Sequence, residues 1–76
     1  MKVDKREAFK YFKQSADKGN AMGLYMLGYC YRGDNYCGQK KDSKKSIEYY
    51  KKSSDKGYRL STRVLGMMYY KILYQI

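Results

Sequence analysis

The stretch Asp42 to Gly57, DSKKSIEYYKKSSDKG, decides the fold, because its pattern has already occurred as Asp4 to Gly19, DKREAFKYFKQSADKG. A shift of 38 residues aligns Asp4–Gly33 with Asp42–Lys71, and ten of the thirty pairs are identical: Asp4, Tyr11, Lys13, Ser15, Asp17, Lys18, Gly19, Leu27, Gly28 and Tyr31 with their partners. A period of that length belongs to stacked supersecondary units, none of which buries its apolar face alone.

Each copy reads as an amphipathic helix with its ends marked. Asp4, with Glu7 three residues on, has the form of a capping box, and Gly19 supplies a left-handed stop. At 100° per residue, Ala8, Phe9, Tyr11, Phe12, Ser15 and Ala16 share one arc, and Arg6, Glu7, Lys10, Lys13, Gln14 and Asp17 fill the other side. In the second copy Ser46, Ile47, Tyr49, Tyr50, Ser53 and Ser54 take the inner arc, and Gly57 ends the helix. The segments that follow differ in kind. Asn20 is placed to cap a helix Ala21–Arg32 that has no charge before Arg32 and is small or apolar nearly all round, so it is expected to lie between neighbours. Arg59 to about Leu73 repeats it, with Leu65, Gly66 and Tyr69 echoing Leu27, Gly28 and Tyr31. A glycine inside a helix costs about 1 kcal/mol relative to alanine, so its recurrence calls for close approach of another helix, most simply a backbone. Gly33–Lys41, rich in Gly, Asp and Asn, reads as a loop after a helix-ending Gly33.

Composition narrows the function. With 17 Lys+Arg against 7 Asp+Glu the formal charge is +10, which favours acidic partners. Histidine is absent, so the commonest general base and metal ligand is missing. Asp4, Asp17, Asp42 and Asp55 sit at repeated helix ends, and Glu7, Asp34 and Glu48 fall on capping, loop and solvent positions, so no acid and base pair up. Neither catalysis, nor a metal site, nor a cofactor is expected. Two cysteines, Cys30 and Cys37, are too few for a secreted disulfide scaffold; they read as free thiols in a reducing, cytoplasmic setting, with a bridge worth about 2 kcal/mol as the alternative. The first residues lack an apolar leader, and the longest uncharged run, Gly19–Tyr31, is too short to span a bilayer.

The motifs resemble the Sel1-like repeat family, a branch of the tetratricopeptide-like superfamily. The family's A-x-A-x-x-x-L-G-x-x-Y-x-x-G helix is matched by Ala21, Leu27, Gly28 and Tyr31, and its D-x-x-K-A-x-x-Y-Y-x-K-A-A-x-x-G helix by Asp42, Lys45, Tyr49, Tyr50, Lys52 and Gly57. The resemblance implies an all-α, right-handed helical-repeat solenoid fragment of about four antiparallel helices. It forms a single domain over residues 1–76: the second helix of one repeat at 4–19, a complete repeat at 21–57 and the first helix of a degenerate repeat at 59–73. Asp4, Gly19, Leu27, Gly28, Tyr31, Asp42, Gly57, Leu65, Gly66 and Tyr69 are then structural repeat positions. The departures are Ser46, Ser53 and Ser54 in place of alanine, Arg59 and Ser61 likewise, and Lys71 in place of a glycine.

The resemblance further implies a protein-interaction scaffold or adaptor, not an enzyme. Met22, Tyr25, Tyr29 and Arg32 form a stripe beside the packing stripe, and Leu60, Arg63, Met67 and Tyr70 are their equivalents; together they would line a concave groove for an acidic-hydrophobic segment of another protein. The apolar C-terminal run from Met67 is expected to self-associate. The runner-up is an electrostatic nucleic-acid binder using Lys40, Lys41, Lys44, Lys45, Lys51 and Lys52, without the aromatic interleaving such proteins carry.

Overall fold

The computed structural model describes residues 4–33 and 35–74, so Met1, Lys2, Val3, Asp34, Gln75 and Ile76 lie outside the described residues. Four helices follow in order: α1 Lys5–Asp17, α2 Ala21–Arg32, α3 Ser43–Asp55 and α4 Arg59–Tyr74. No strand occurs among the described residues, and the architecture is that of an all-α helical-repeat fragment.

The helix ends lie where local chemistry places them. The Asp4 carboxylate accepts from the Arg6 amide at 2.9 Å, Asn20 from Met22 and Gly23 at 2.9 and 3.2 Å, and Asp42 from Lys45 at 3.1 Å, each satisfying amides the helix leaves unpaired. Gly19 and Gly57 stand at φ +82° and +87°, the left-handed conformation that stops α1 and α3 and reverses the chain. Gly33 departs from that expectation. Its φ is −139°, ordinary extended backbone, and what requires glycine there is the Tyr36 ring, whose carbons would lie 2.7–3.0 Å from an added Cβ.

Successive helices pack on one another, with α2 between α1 and α3 and α4 against α3. Leu24 and Leu27 on α2 and Ala16 on α1 make the buried cluster, closed by Phe9, Phe12 and Tyr49. The absence of charge along α2 follows from this double coverage. On α1 the inner arc is only partly covered: Tyr11 is 69% exposed, whereas its equivalent Tyr49 is half-buried. The difference comes from the neighbour, since Tyr49 stacks on Tyr31 of α2, whereas Tyr11 meets edge-on the ring of Phe12 on its own helix.

The loop between α2 and α3 is folded back on α2. Tyr36 stacks on Tyr29 with centroids 4.9 Å apart, and the Asp42 amide donates to the Tyr31 carbonyl at 2.9 Å. Cys30 and Cys37 are joined by a disulfide, with their Cα atoms 5.3 Å apart. The free-thiol expectation is therefore wrong. Left-handed backbone at Asn35 (φ 63°) and Cys37 (φ 51°) turns the loop so that Cys37 returns to the end of α2, a route that spacing alone did not disclose. The bond also removes the argument for a reducing compartment, because such bridges persist where the surroundings oxidise thiols. No helix among the described residues is long and apolar enough to cross a membrane.

Candidate functional site

The interface between α2 and α3 sets every other surface. At its centre the Tyr50 ring fills the hollow over Gly28, where a Cβ would come within 2.9 Å of the ring carbons. A side chain, not the expected backbone, is what excludes a larger residue at Gly28. On either side of the ring, serines that read as departures from alanine donate to α2 carbonyls: Ser46 Oγ to Gly28 O and Ser53 Oγ to Ala21 O, both at 2.7 Å. Ser61 Oγ then donates to Ser53 Oγ at 2.6 Å, carrying the chain of hydroxyls from α2 through α3 to α4. All three serines are wholly buried, so these bonds satisfy groups that would otherwise be costly to bury.

Tyr50 itself is shielded from solvent, and its hydroxyl has no hydrogen-bond partner among the described residues. Burial pushes its phenol up to about 12; the nearby Arg32 guanidinium opposes the shift electrostatically but does not reach good hydrogen-bond geometry with the hydroxyl. Tyr49 is raised as well, first by burial and then by Tyr31. Two lysines of the basic run lie over rings, Lys45 at 5.2 Å from Tyr31 and Lys52 at 5.7 Å from Tyr49, so part of that run serves packing.

The eight stripe residues do not share one environment. Tyr25 lies between Tyr50 and Tyr58, at centroid distances of 5.5 and 5.4 Å, and belongs to the α2–α3 interface. Tyr29 is stacked on Tyr36 of the loop. Met22 turns toward α1, where it borders a cleft with Tyr11 and Phe12. Leu60 and Arg63 are exposed on α4. Arg32 and Met67 do come together, across a cleft of about 220 Å³ between the end of α2, the start of α3 and the second half of α4. Its apolar wall is Ile47, Met67, Met68 and Ile72, and its polar rim is Ser43, Lys41, Arg32 and Lys71, with no carboxylate lining it among the described residues. Tyr70 borders the adjoining hollow with Gly66 and Met67 and packs at a tilt against Tyr74, with ring centroids 4.5 Å apart. Ile47, Met68, Lys71 and Ile72 were not among the stripe residues. Helical phase places each on its own helix, but the crossing of α3 and α4 brings them to one cleft.

No curated protein and no solved structure matches the chain. The family model of the Sel1 repeat matches residues 1–20 and 21–58, well over half the chain. Two tandem matches, over α1 to α3, where the capping Asp4 and Asp42 and the helix-ending Gly19 and Gly57 recur at one period, make this chain a member of the Sel1 repeat family, whose repeats are generally protein-protein interaction modules.

Proposed function

We propose that the chain is a protein-binding scaffold that captures an acidic-hydrophobic segment of a partner in the cleft between α2, α3 and α4. The observation that carries this reading is the lining: Ile47, Met67, Met68 and Ile72 form the floor, and Arg32 and Lys71 stand on a rim that holds no acid among the described residues. A cleft of about 220 Å³ is smaller than the roughly 300–1,000 Å³ of pockets that enclose small ligands, and suits one or two anchoring side chains of a peptide. Methionine walls adapt to such anchors, and Arg pairs carboxylates in two-pronged fashion. The groove is narrower than the eight-residue stripe: Arg32 and Met67 belong to it, Tyr70 borders the adjoining hollow, and Tyr25 is a packing residue.

Fluorescence polarisation tests this with three short labelled peptides: one alternating Glu with Leu, its Lys-for-Glu counterpart, and a Glu-Ser control. The Glu-Leu peptide binds best. Met67→Glu and Lys71→Glu, both at exposed positions on α4, each weaken it about tenfold, equivalent to ~1.4 kcal/mol, with helical content unchanged. Equal binding of the acidic and basic peptides, or variants that bind as well as the original chain, would overturn the assignment.

A further inference from the structure

The internal repeat leaves two complementary faces without a described neighbour. In the α2–α3 interface three contacts recur along the helices: the Tyr50 ring over Gly28, the Tyr49 ring stacked on Tyr31 with centroids 6.0 Å apart, and Ser53 Oγ donating to the Ala21 carbonyl. A shift of 38 residues carries the α2 half of each contact onto α4, as Gly66, Tyr69 and the carbonyl of Arg59. The reverse shift carries the α3 half onto α1, as Phe12, Tyr11 and Ser15. Both sets are open. A Cβ at Gly66 would meet nothing within 4 Å, Tyr69 is 47% exposed, and Tyr11 is 69% exposed. Beside Phe12, the cleft bounded by Asn20 and Met22 occupies the place that, one period later, is bounded by Tyr50 and Tyr58 and filled by Tyr25.

We propose that α4 of one chain docks on α1 of a second copy, reproducing between molecules the α2–α3 interface found within one. Phe12 of the second copy seats over Gly66, Tyr11 stacks on Tyr69, and Ser15 donates to the Arg59 carbonyl. Arg63 stands where Tyr25 does and enters the cleft beside the Phe12 ring, a cation over an aromatic face. A second copy is the occupant because the two faces belong to the same chain and match each other position by position. Ala8 replaces the Ser46 hydroxyl, so one hydrogen bond of the internal interface is missing and the docking is weaker than its intramolecular template. The contact joins two different surfaces, and such a contact does not close on itself by a twofold axis; it continues the solenoid from molecule to molecule. The charge of +10 on each chain opposes it, so added salt strengthens the association.

Sedimentation velocity over a concentration series in moderate salt tests the mode. The wild-type chain shows a mass that rises with concentration without stopping at a dimer. Gly66→Lys blocks the α4 face and Tyr11→Lys blocks the α1 face; each remains monomeric, with the circular dichroism of the wild type. An equimolar mixture of the two forms a dimer and nothing larger, since each variant retains the face that the other has lost. Tyr69→Lys serves as a second α4-blocked variant should Gly66→Lys lose its helical signal. A wild-type chain that stays monomeric, one that stops at a dimer, folded variants that associate as it does, or a mixture that stays monomeric each overturns the proposal.

Discussion

Gly28 and Gly66 occupy the same position of the repeat, yet alanine should act on them in opposite directions. At Gly28 a Cβ would stand 2.9 Å from two carbons of the Tyr50 ring and 3.0 Å from a third, against an ordinary carbon contact of about 3.5–4.0 Å. The ring has no room to retreat: Tyr50 is wholly buried, and Tyr25 lies 5.5 Å behind it. Forcing a methyl into a filled core costs about 1–3 kcal/mol, and three close contacts with one rigid ring put this site near the top of that range. Against it stands the helix preference of alanine over glycine, about 1 kcal/mol. Gly28→Ala should therefore lower stability by roughly 2 kcal/mol, the difference of those two effects. At Gly66 the added methyl meets nothing, so only the helix preference remains, a gain of about 1 kcal/mol. The two variants differ by roughly 3 kcal/mol, which for a domain of this size separates their melting temperatures by about 12–24 °C. Thermal melts followed by far-ultraviolet circular dichroism, at concentrations low enough to keep the chain monomeric, read the gap directly. A Gly28→Ala chain that melts at or above the wild type would show that the ring yields and that the seat is not fixed. Equal losses at both sites would mean that Gly66 has a neighbour within the monomer in solution.

Three further outcomes follow from the same interfaces. Ser53→Ala removes the donor to the Ala21 carbonyl and leaves the buried Ser61 hydroxyl without its acceptor, so it should cost about 2 kcal/mol; adding Ser61→Ala should restore part of the loss, and strictly additive losses in denaturant melts would refute the coupling. Reducing the Cys30–Cys37 bridge, which closes a loop with a sequence separation of 7, should lower stability by about 2 kcal/mol and release the Tyr29–Tyr36 stack, seen as a loss of near-ultraviolet dichroism; unchanged melts with and without reductant would contradict it. Tyr50 should make the fold alkali-sensitive: below pH 10 the phenol is neutral in folded and unfolded chains alike, and above it the unfolded chain ionises while the folded one holds its proton to about pH 12. Stability then falls across that window by up to roughly 2–3 kcal/mol, and Tyr50→Phe should remove this part of the loss in pH-dependent melts, or the attribution fails.

What the sequence disclosed was local. Helix ends depend on a carboxylate or amide reaching back one turn and on a left-handed glycine, so Asp4, Asn20, Asp42, Gly19 and Gly57 could be read without knowing any neighbour. The inner face of α3 was legible for the same reason, since helical phase follows from spacing, and Ser46, Tyr50 and Ser53 are indeed buried. Phase does not say which element covers a face. Tyr25 shares its stripe with Arg32, but the turn into α4 brings Tyr58 against it, so it packs where a partner was expected. Composition also misled at Cys30 and Cys37: two cysteines in a small chain weigh little as a count, and only the left-handed turns at Asn35 and Cys37 bring them together. The serines carry a signal of their own. Three hydroxyls on the inner faces of α3 and α4, each replacing a methyl, imply acceptors across the interface, and the carbonyls of Ala21 and Gly28 are two of them.

Coverage falls from α2 through α3 to α4, and that gradient connects the fold to what its surfaces can do. The helix α2 has neighbours on two sides and contributes Leu24, Leu27, Gly28 and Cys30 to the buried set, whereas α4 contributes Ser61 alone. Of the eleven large hydrophobic side chains exposed among the described residues, seven lie on α4: Leu60, Met67, Tyr69, Tyr70, Ile72, Leu73 and Tyr74. A helix that buries so little apolar surface is held chiefly through its first turns, where Ser61 meets Ser53 and Thr62 meets Ser54, and its second half opens more readily than the rest. That half also borders the cleft at Arg32 and the hollow at Gly66. Any partner that covers either surface therefore gains the apolar burial that α4 lacks and orders the helix in the same step, so binding and the completion of the fold are one process. Because repeat proteins draw stability from contacts between neighbouring units, occupation of the Gly66 hollow would be felt through α3 as far as Tyr50 and α2, whereas the cleft draws its walls directly from α3 and α4.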